Sequence, residues 1–206
     1  MKIHYVPVVL VVVNAVFFAF QSAISGFTDS LLLVSSAVAE KPWTILTSMF
    51  LHGDMTHLLG NMFALFLFGL ILENAIGSKK FTLLYFASGI VAGAASIFFY
   101  DSTLGASGAI FGILGALAVL KPRMIVWTYG VPMPMVAAVG FWLILDILGV
   151  FYPSNIANMA HIAGLAFGAA IGISLLRKYR EAQAKKYENE KTIDDNEFNK
   201  WEDEWM

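Results

Sequence analysis

Six segments of this chain are almost entirely apolar, and each is close to the length that crosses a bilayer. They cover residues 6–23, 56–73, 81–100, 106–120, 131–151 and 158–176. A membrane-spanning helix needs about 20 predominantly apolar residues. Only 14% of the residues are charged, against about a quarter in an average soluble domain. The chain is therefore predicted to be an all-α membrane protein, a bundle of six transmembrane helices.

The basic residues predict which side of the membrane each end of the chain occupies. If the N-terminus is cytoplasmic, Lys41 is the one cation among 13 Lys and Arg that falls in an outer loop. Because cytoplasmic loops are enriched in Lys and Arg, both termini are expected to be cytoplasmic. The alternative that residues 6–23 form a signal peptide stays open, although no convincing small-residue cleavage site follows them.

The distribution of charge divides the chain into two parts. Residues 1–176 are predicted to form the transmembrane domain, and residues 177–206, which hold more than half of all charged residues, a charged cytoplasmic tail. The longest outer loop, residues 24–55, is too apolar to extend freely into water. It is expected to lie half-buried at the membrane interface, with Trp43 at headgroup level.

Four polar side chains are predicted at nearly the same depth in three helices. His57 and Asn61 lie one turn apart in the second span, Ser107 opens the fourth, and His161 lies near the start of the sixth. These three spans run in the same direction, so all four side chains lie about a turn below the outer surface. Polar and ionisable side chains are expensive in hydrocarbon, which makes the four residues candidates for a functional site.

Small residues predict that two of these helices touch. Gly164, Gly168 and Gly172 follow His161 at i+3, i+7 and i+11, on one helix face, and the fourth span carries a similar stripe beside Ser107. Such faces let membrane helices approach closely. The Ser107 hydroxyl would then lie within hydrogen-bond reach of the His161 imidazole, which can take its proton during nucleophilic attack.

Four motifs, taken together, resemble the rhomboid family of intramembrane serine proteases. They are "HGDMTHLLGN" at 52–61, "ENAIGS" at 73–78, "GASG" at 105–108 and "AHIAGLAFG" at 160–168. Their order and spacing are more specific than any one of them. The residues that belong to these motifs without carrying the chemistry themselves are His52, Gly105, Gly108 and Gly164.

The resemblance implies a Ser–His dyad without a third Asp. Ser107 would be the nucleophile and His161 the base, while His57, Asn61 and the Ser107 backbone N–H would stabilise the oxyanion. The resemblance also implies that Phe111 packs against the imidazole of His161. The family often has Tyr at that position and Trp-Arg in the first outer loop, where this chain has Trp43-Thr44.

Each residue also has a structural interpretation. Ser107 can serve as a helix N-cap, His161 can be a core histidine, and His57 and Asn61 can bond each other. A metal site of His52, His57 and His161 lacks the His-Glu-x-x-His spacing and a carboxylate cluster.

Asp146, in the fifth span, lies near the same depth as the polar group. It is expected to cap, to snorkel or to bond a neighbour rather than to complete a triad.

The predicted function is that of a serine endopeptidase that cleaves transmembrane proteins near the outer membrane face. A catalytically inactive, rhomboid-like protein that binds membrane clients and a small transporter are the alternatives. No cofactor, metal or nucleic acid is expected. The expected partners are transmembrane substrates and the bilayer, and the expected location is a prokaryotic plasma membrane.

Overall fold

The computed structural model describes residues 5–152 and 156–205, and within them the chain is mostly helical. The α-helices are α1 (Val6–Ala23), α2 (Phe27–Leu31), α3 (Thr44–Thr47), α4 (Met55–Ile76), α5 (Ser78–Ser96), α6 (Ser107–Leu120), α7 (Met135–Phe151) and α8 (Asn158–Trp205). The strands are β1 (Leu33–Val34), β2 (Ser102–Thr103), β3 (Ile125–Thr128) and β4 (Val131–Pro134).

Six of these helices overlap in sequence with the six apolar segments that were predicted to be spans. In the described part of the chain, α1, α4 and the Asn158–Asn189 portion of α8 are long and apolar enough to cross a membrane, and α6 and α7 are shorter apolar helices. The third predicted span is shifted, because α5 begins directly after Gly77 and includes the polar residues at its start. Within α8 the helix continues past Leu176 into the charged C-terminal segment.

The four short strands are a departure from the purely helical prediction. β1 pairs with β2, so the segment after α2 is held against the chain just before α6. β3 and β4 form an antiparallel hairpin whose tip is Tyr129 and Gly130, both at positive φ. The hairpin takes up residues 131–134, so the fifth predicted span begins too early, and Pro134 directly precedes α7.

Helix α6 lies at the centre of the bundle. It contacts α4, α5, α7 and α8, and its buried residues lie on every side of the helix: Gly108, Ala109, Ile110, Gly112, Ile113, Leu114, Gly115, Ala116, Leu117 and Leu120. A helix that is apolar all round is expected to be buried among others. The residue that opens α6, Ser107, is therefore surrounded by neighbouring helices.

The closest helix contact in the bundle joins α6 to α8. A Cβ placed on Gly164 would overlap the carbonyl oxygen of Gly108, and one on Gly168 would overlap that of Gly112. Glycine is required at these positions because the two backbones touch. The predicted neighbourhood of the fourth and sixth spans is therefore present.

The long segment between α1 and α4 is partly inserted into the protein. Leu33, Met49 and Leu51 are buried, whereas Trp43 is 52% exposed. This agrees with the expectation that the segment does not extend freely into water. Residues 1–4 and 153–155, which include Lys2, lie outside the described residues.

Candidate active site

Ser107 is the first residue of α6 and follows a turn that depends on glycine. Gly105 adopts φ +122°, a conformation that L side chains rarely adopt. Its N–H donates to the carbonyl of Ser48 at 2.9 Å, which fixes the turn to the segment before α4. The first hydrogen bond of the helical ladder runs from the Ile110 N–H to the Ala106 carbonyl. The N–H of Ser107 therefore lies outside the ladder, as do those of the next two residues.

The Ser107 hydroxyl and the His161 imidazole meet across the α6–α8 contact. Ser107 Oγ lies 2.8 Å from His161 Nε2, which is hydrogen-bond distance. This juxtaposition depends on the glycines below it, because a side chain at Gly164 would force the two helices apart. The structure thus brings together the two residues that the sequence placed at the start of separate helices.

Phe111 lies one turn after Ser107 and stacks on the imidazole. The ring centroids of Phe111 and His161 are 4.2 Å apart, and the planes differ by 7°. The phenyl ring therefore covers one face of the imidazole and limits its rotation. This is the packing that the family resemblance implied.

Asp146 was left out of the predicted site, and the structure places it there. Its Oδ1 lies 3.0 Å from Nδ1 of His161, on the side of the ring opposite Ser107. The expectation that Asp146 bonds a neighbour is met, and the neighbour is the proposed base. The signal that pointed to it is that Asp146 is the only ionisable residue in an otherwise apolar helix.

His57 is held in place by hydrogen bonds at the start of α4. Its N–H donates to Oδ1 of Asp54, the N-cap, at 2.8 Å. The Gly53 N–H points at Nδ1 of His57 at 3.4 Å, so Nδ1 is the acceptor and the neutral ring carries its proton on Nε2. A Cβ placed on Gly105 would lie 3.0 Å from that Nε2, which therefore faces the turn before Ser107.

Asn61 directs an amide group at the same turn. Its Nδ2 would lie 3.8 Å from a Cβ on Gly105. The nitrogen is buried and donates to no acceptor among the described residues. Buried amide donors are rarely left without a partner, and an exception calls for an explanation. His57 and Asn61 are not hydrogen-bonded to each other in the described part of the chain.

His52 lies behind His57 and supports it from the protein interior. The two rings meet edge to face, with centroids 5.0 Å apart. The His52 N–H donates to Gln21 Oε1 at 2.9 Å, which ties this segment to α1. Burial, and then the neighbouring His57, lower the pKa of His52 from 6.5 to about 4. His52 is therefore neutral at physiological pH.

A cavity of about 1050 Å³ joins the polar groups. Its walls include His57, Asn61, Ser107, Phe111 and His161. A second cavity of about 30 Å³ opens beside Ser107, between α5 and the turn at Gly105. Among the residues that the structure describes, no group of three or more His, Cys, Asp or Glu side chains is placed to hold a metal ion.

The sequence profile of the Rhomboid domain matches residues 39–178 of this chain. The chain belongs to the rhomboid family. The match covers every residue of the site, and it confirms the resemblance carried by the four sequence motifs. The chain is accordingly a mostly helical, multi-pass membrane protein.

Individual rhomboid relatives are similar over the same region. "Rhomboid protease GluP" of Bacillus subtilis is 37% identical over 164 residues, which cover 72% of this chain and 31% of GluP. "RHOMBOID-like protein 4" of Arabidopsis thaliana is 36% identical over 66% of this chain and 35% of the relative. "RHOMBOID-like protein 6, mitochondrial" of the same plant is 34% identical over 66% of this chain and 45% of the relative. The matched regions thus span less than half the length of each of these relatives, one of which is named a protease and the other two RHOMBOID-like proteins.

Proposed function

We propose that this rhomboid is an intramembrane serine endopeptidase in which Ser107 is the nucleophile and His161 the general base. The observation that carries the proposal is the distance of 2.8 Å between Ser107 Oγ and His161 Nε2, in the wall of a cavity large enough for an extended peptide. A neutral hydroxyl is a weak nucleophile. A hydrogen-bonded imidazole activates it by accepting its proton as the oxygen attacks.

The reaction follows from this geometry. Ser107 Oγ attacks the scissile carbonyl carbon while its proton passes to Nε2 of His161, which gives a tetrahedral oxyanion. When the C–N bond breaks, the imidazolium returns that proton to the leaving amine. A water molecule then hydrolyses the acyl-enzyme, with His161 again acting as the base, and Ser107 is released.

The oxyanion requires donors on the side of the carbonyl away from the imidazole. Three donors border the turn at Gly105: Nδ2 of Asn61 and the N–H of Ser107, which have no acceptor among the described residues, and the protonated Nε2 of His57. Fixed donors of this kind stabilise the transition state because they do not have to reorient as charge develops. The substrate carbonyl would therefore lie beside the Gly105 turn.

The length of α6 explains how hydrolysis can take place below the membrane surface. Its 14 residues extend about 21 Å, against about 30 Å for the hydrocarbon core. A central helix that spans only part of the core leaves Ser107 several ångströms below one surface. Non-helical backbone at that depth is tolerated only where protein lines it, and the Gly105 turn is packed against the segment before α4.

We also propose six membrane spans, with both termini in the cytoplasm. The described helices α1, α4, α5, α6, α7 and α8 would be the spans. The distribution of Lys and Arg then places the start of α6, and with it the site, near the outer face. The 1–176 transmembrane domain and the 177–206 tail keep their proposed boundary, and the prokaryotic plasma membrane is the proposed location.

The proposed substrates are membrane proteins with a single apolar helix. A peptide bond inside a stable helix is shielded, so the scissile segment must unwind, and Gly, Pro or polar residues near the outer end of the substrate helix would help. The cavity of about 30 Å³ beside Ser107 accommodates a methyl-sized side chain and is bordered by Ala92 and Gly93. This supports a small residue just before the cut.

The proposal is tested in proteoliposomes with a single-span substrate. Wild type should cleave it, and Ser107→Ala and His161→Ala should each abolish cleavage without loss of the folded state. A serine-directed fluorophosphonate should label Ser107, with the site mapped by mass spectrometry. Cleavage that persists in Ser107→Ala would move the nucleophile elsewhere. A wild-type protein that captures the substrate helix but neither cuts nor labels would favour the inactive, client-binding alternative.

A further inference from the structure

Asp146 is a buried carboxylate near the C-terminal end of α7, an otherwise uncharged helix. Only 6% of Asp146 is exposed, and every other residue of α7 is uncharged. A carboxylate without a partner is costly to place within a transmembrane helix. Such a residue persists where a partner compensates it. Here that partner is His161, whose Nδ1 lies 3.0 Å from Asp146 Oδ1.

The hydrogen-bonding capacity of the two groups determines the tautomer of the imidazole. An ionised carboxylate only accepts hydrogen bonds, so Nδ1 of His161 must be the donor. In the neutral ring Nε2 is then unprotonated, and it faces Ser107 Oγ at 2.8 Å. The opposite tautomer would place a proton on Nε2, and the ring could no longer accept the proton of Ser107.

We propose that Asp146 is a positioning residue that holds His161 in the tautomer competent to activate Ser107 and stabilises the imidazolium formed during the reaction. The inference rests on the proposed protease function, and it replaces a Ser–His dyad by a chain of three groups contributed by α6, α8 and α7. Asp146 acts through His161 and has no contact with the reacting atoms.

Among the described residues, Asp146 is the carboxylate that forms an ion pair with His161. Phe111 from α6 covers a face of the ring, and Ser107 from the same helix bonds Nε2. From α4, His57 lies within electrostatic range of the imidazole. The cavity also contains Asp54 and Asp101 in its walls, but neither forms an ion pair with His161 in the described part of the chain. The second oxygen of Asp146, Oδ2, accepts no hydrogen bond from the described residues.

A purely structural role is the competing explanation, in which Asp146 only ties α7 to α8. The two roles differ in what a substitution changes. In the structural role, loss of the Asp146–His161 contact loosens α7 and lowers stability. It does not change the proton affinity of the imidazole during catalysis. Loss of a positioning carboxylate changes the dependence of the rate on pH. The pH profile therefore separates the two roles.

The main experiment measures kcat and KM for cleavage in proteoliposomes between pH 5 and 9. For Asp146→Asn we expect kcat to fall at least about tenfold, with an upper bound near 10⁴-fold from the loss of the correct tautomer in serine protease triads. KM should change little. The acid limb of kcat/KM should move to lower pH, because the imidazolium loses its neighbouring anion. Asp146→Glu, which keeps the charge, should recover part of the rate and the acid limb of wild type.

Trp142→Leu is the matched control on the same helix. Trp142 packs edge to face on Phe68 of α4, with centroids 6.2 Å apart, and has no bond to His161. The substitution loosens α7 but leaves the carboxylate in place, so the acid limb should not move. If Asp146→Asn keeps the rate and pH profile of wild type, or if Trp142→Leu shifts the acid limb as much as Asp146→Asn does, the proposal is wrong.

A measurement on wild type keeps the test decisive if the Asp146 variants do not fold. Nitrogen-15 NMR of histidine-labelled protein, assigned with His161→Gln, should show Nδ1 of His161 protonated and Nε2 unprotonated in the neutral ring. The reverse tautomer would overturn the proposal. This readout does not require turnover, so it stands apart from the proposed function, which fails on its own if wild type shows no Ser107-dependent cleavage.

Discussion

Phe111 and His161 lie face to face, with ring centroids 4.2 Å apart and planes within 7° of parallel. The phenyl ring fixes the tilt of the imidazole, on which proton transfer from Ser107 depends. We expect Phe111→Leu to lower kcat by about tenfold, since a misplacement of about 1 Å in an active site can cost 100-fold. Phe111→Tyr, which keeps the ring, should retain most of the rate.

The control for the loss of an aromatic ring is Phe86→Leu. Phe86 packs on Phe50 and Tyr85 and has no contact with the imidazole. Its substitution should leave kcat within a few-fold of wild type. A rise in KM with an unchanged kcat in Phe111→Leu would instead assign the ring to substrate binding.

Asn61→Ala should slow turnover more than it weakens substrate binding. The Asn61 amide nitrogen has no acceptor among the described residues, so its hydrogen bond would form only as the oxyanion develops. We expect kcat to fall by about 100- to 1000-fold, as for other oxyanion donors. Asn74→Ala is the control, because Asn74 lies at the other end of α4 and bonds only the Leu70 carbonyl 2.9 Å away. Equal losses in kcat and in substrate affinity would argue against an oxyanion role for Asn61.

Gly164→Ala should both destabilise the fold and abolish cleavage. The added Cβ would overlap the Gly108 carbonyl, so α8 must move away from α6 and the serine from its base. Overpacking of this kind costs about 1–3 kcal/mol. Gly140→Ala is the matched control, since nothing lies within 4 Å of its Cβ. It should raise stability by about 0.5–1 kcal/mol. Thermal unfolding in detergent measures both, and equal melting temperatures for the two variants would contradict the close helix contact.

The stability of the protein should fall as the pH drops from 6.5 towards 4, in part because of His52. Burial lowers the pKa of the folded His52 to about 4, while the unfolded chain takes up its proton near 6.5. Between these values the unfolded state binds more protons, so acid favours unfolding. His52→Gln should flatten the dependence of the melting temperature on pH in this window. An NMR titration of His52 in wild type that gives a pKa near 6.5 would contradict the prediction.

Substrates with Ala just before the cut should be cleaved faster than those with Leu. The cavity beside Ser107 has a volume of about 30 Å³, which leaves no room for a branched side chain without displacement of its walls. A single methylene in a pocket changes specificity by about 10- to 200-fold. A series of substrates with Ala, Val and Leu at this position, compared by kcat/KM, measures the preference. Equal values for Ala and Leu would assign the cavity another role.

Much of the architecture follows from local sequence patterns. The first predicted span, residues 6–23, coincides with α1, and the fourth differs from α6 by a single residue. These segments are bounded by polar residues or turns, so apolar length alone locates them. The meeting of Ser107 with His161 was predictable too, because the glycine stripes on both helices allow the two backbones to approach closely.

Other features depend on tertiary structure that no local pattern encodes. Strand β4 was counted into the fifth span because Val131, Met133 and the two prolines of this strand are apolar, like a helix core. Asp146 was placed at the right depth, but its partner could not be read from α7. That helix is apolar on all sides, so its sequence does not determine which face it presents to α8. The missing information was the rotation of one helix about its own axis.

The way α7 is attached has a consequence for inhibition. At its start, Met135, Ala138 and Val139 are buried, but beyond Val139 the only buried residue of the helix is Asp146. Its C-terminal half otherwise presents exposed apolar side chains such as Ile144 and Leu148, which lipid tails solvate as well as protein does. An apolar compound that binds behind this half of α7 would draw the carboxylate away from the imidazole. Such a compound would inhibit the proposed protease from the lipid side without entering the cavity or touching the serine.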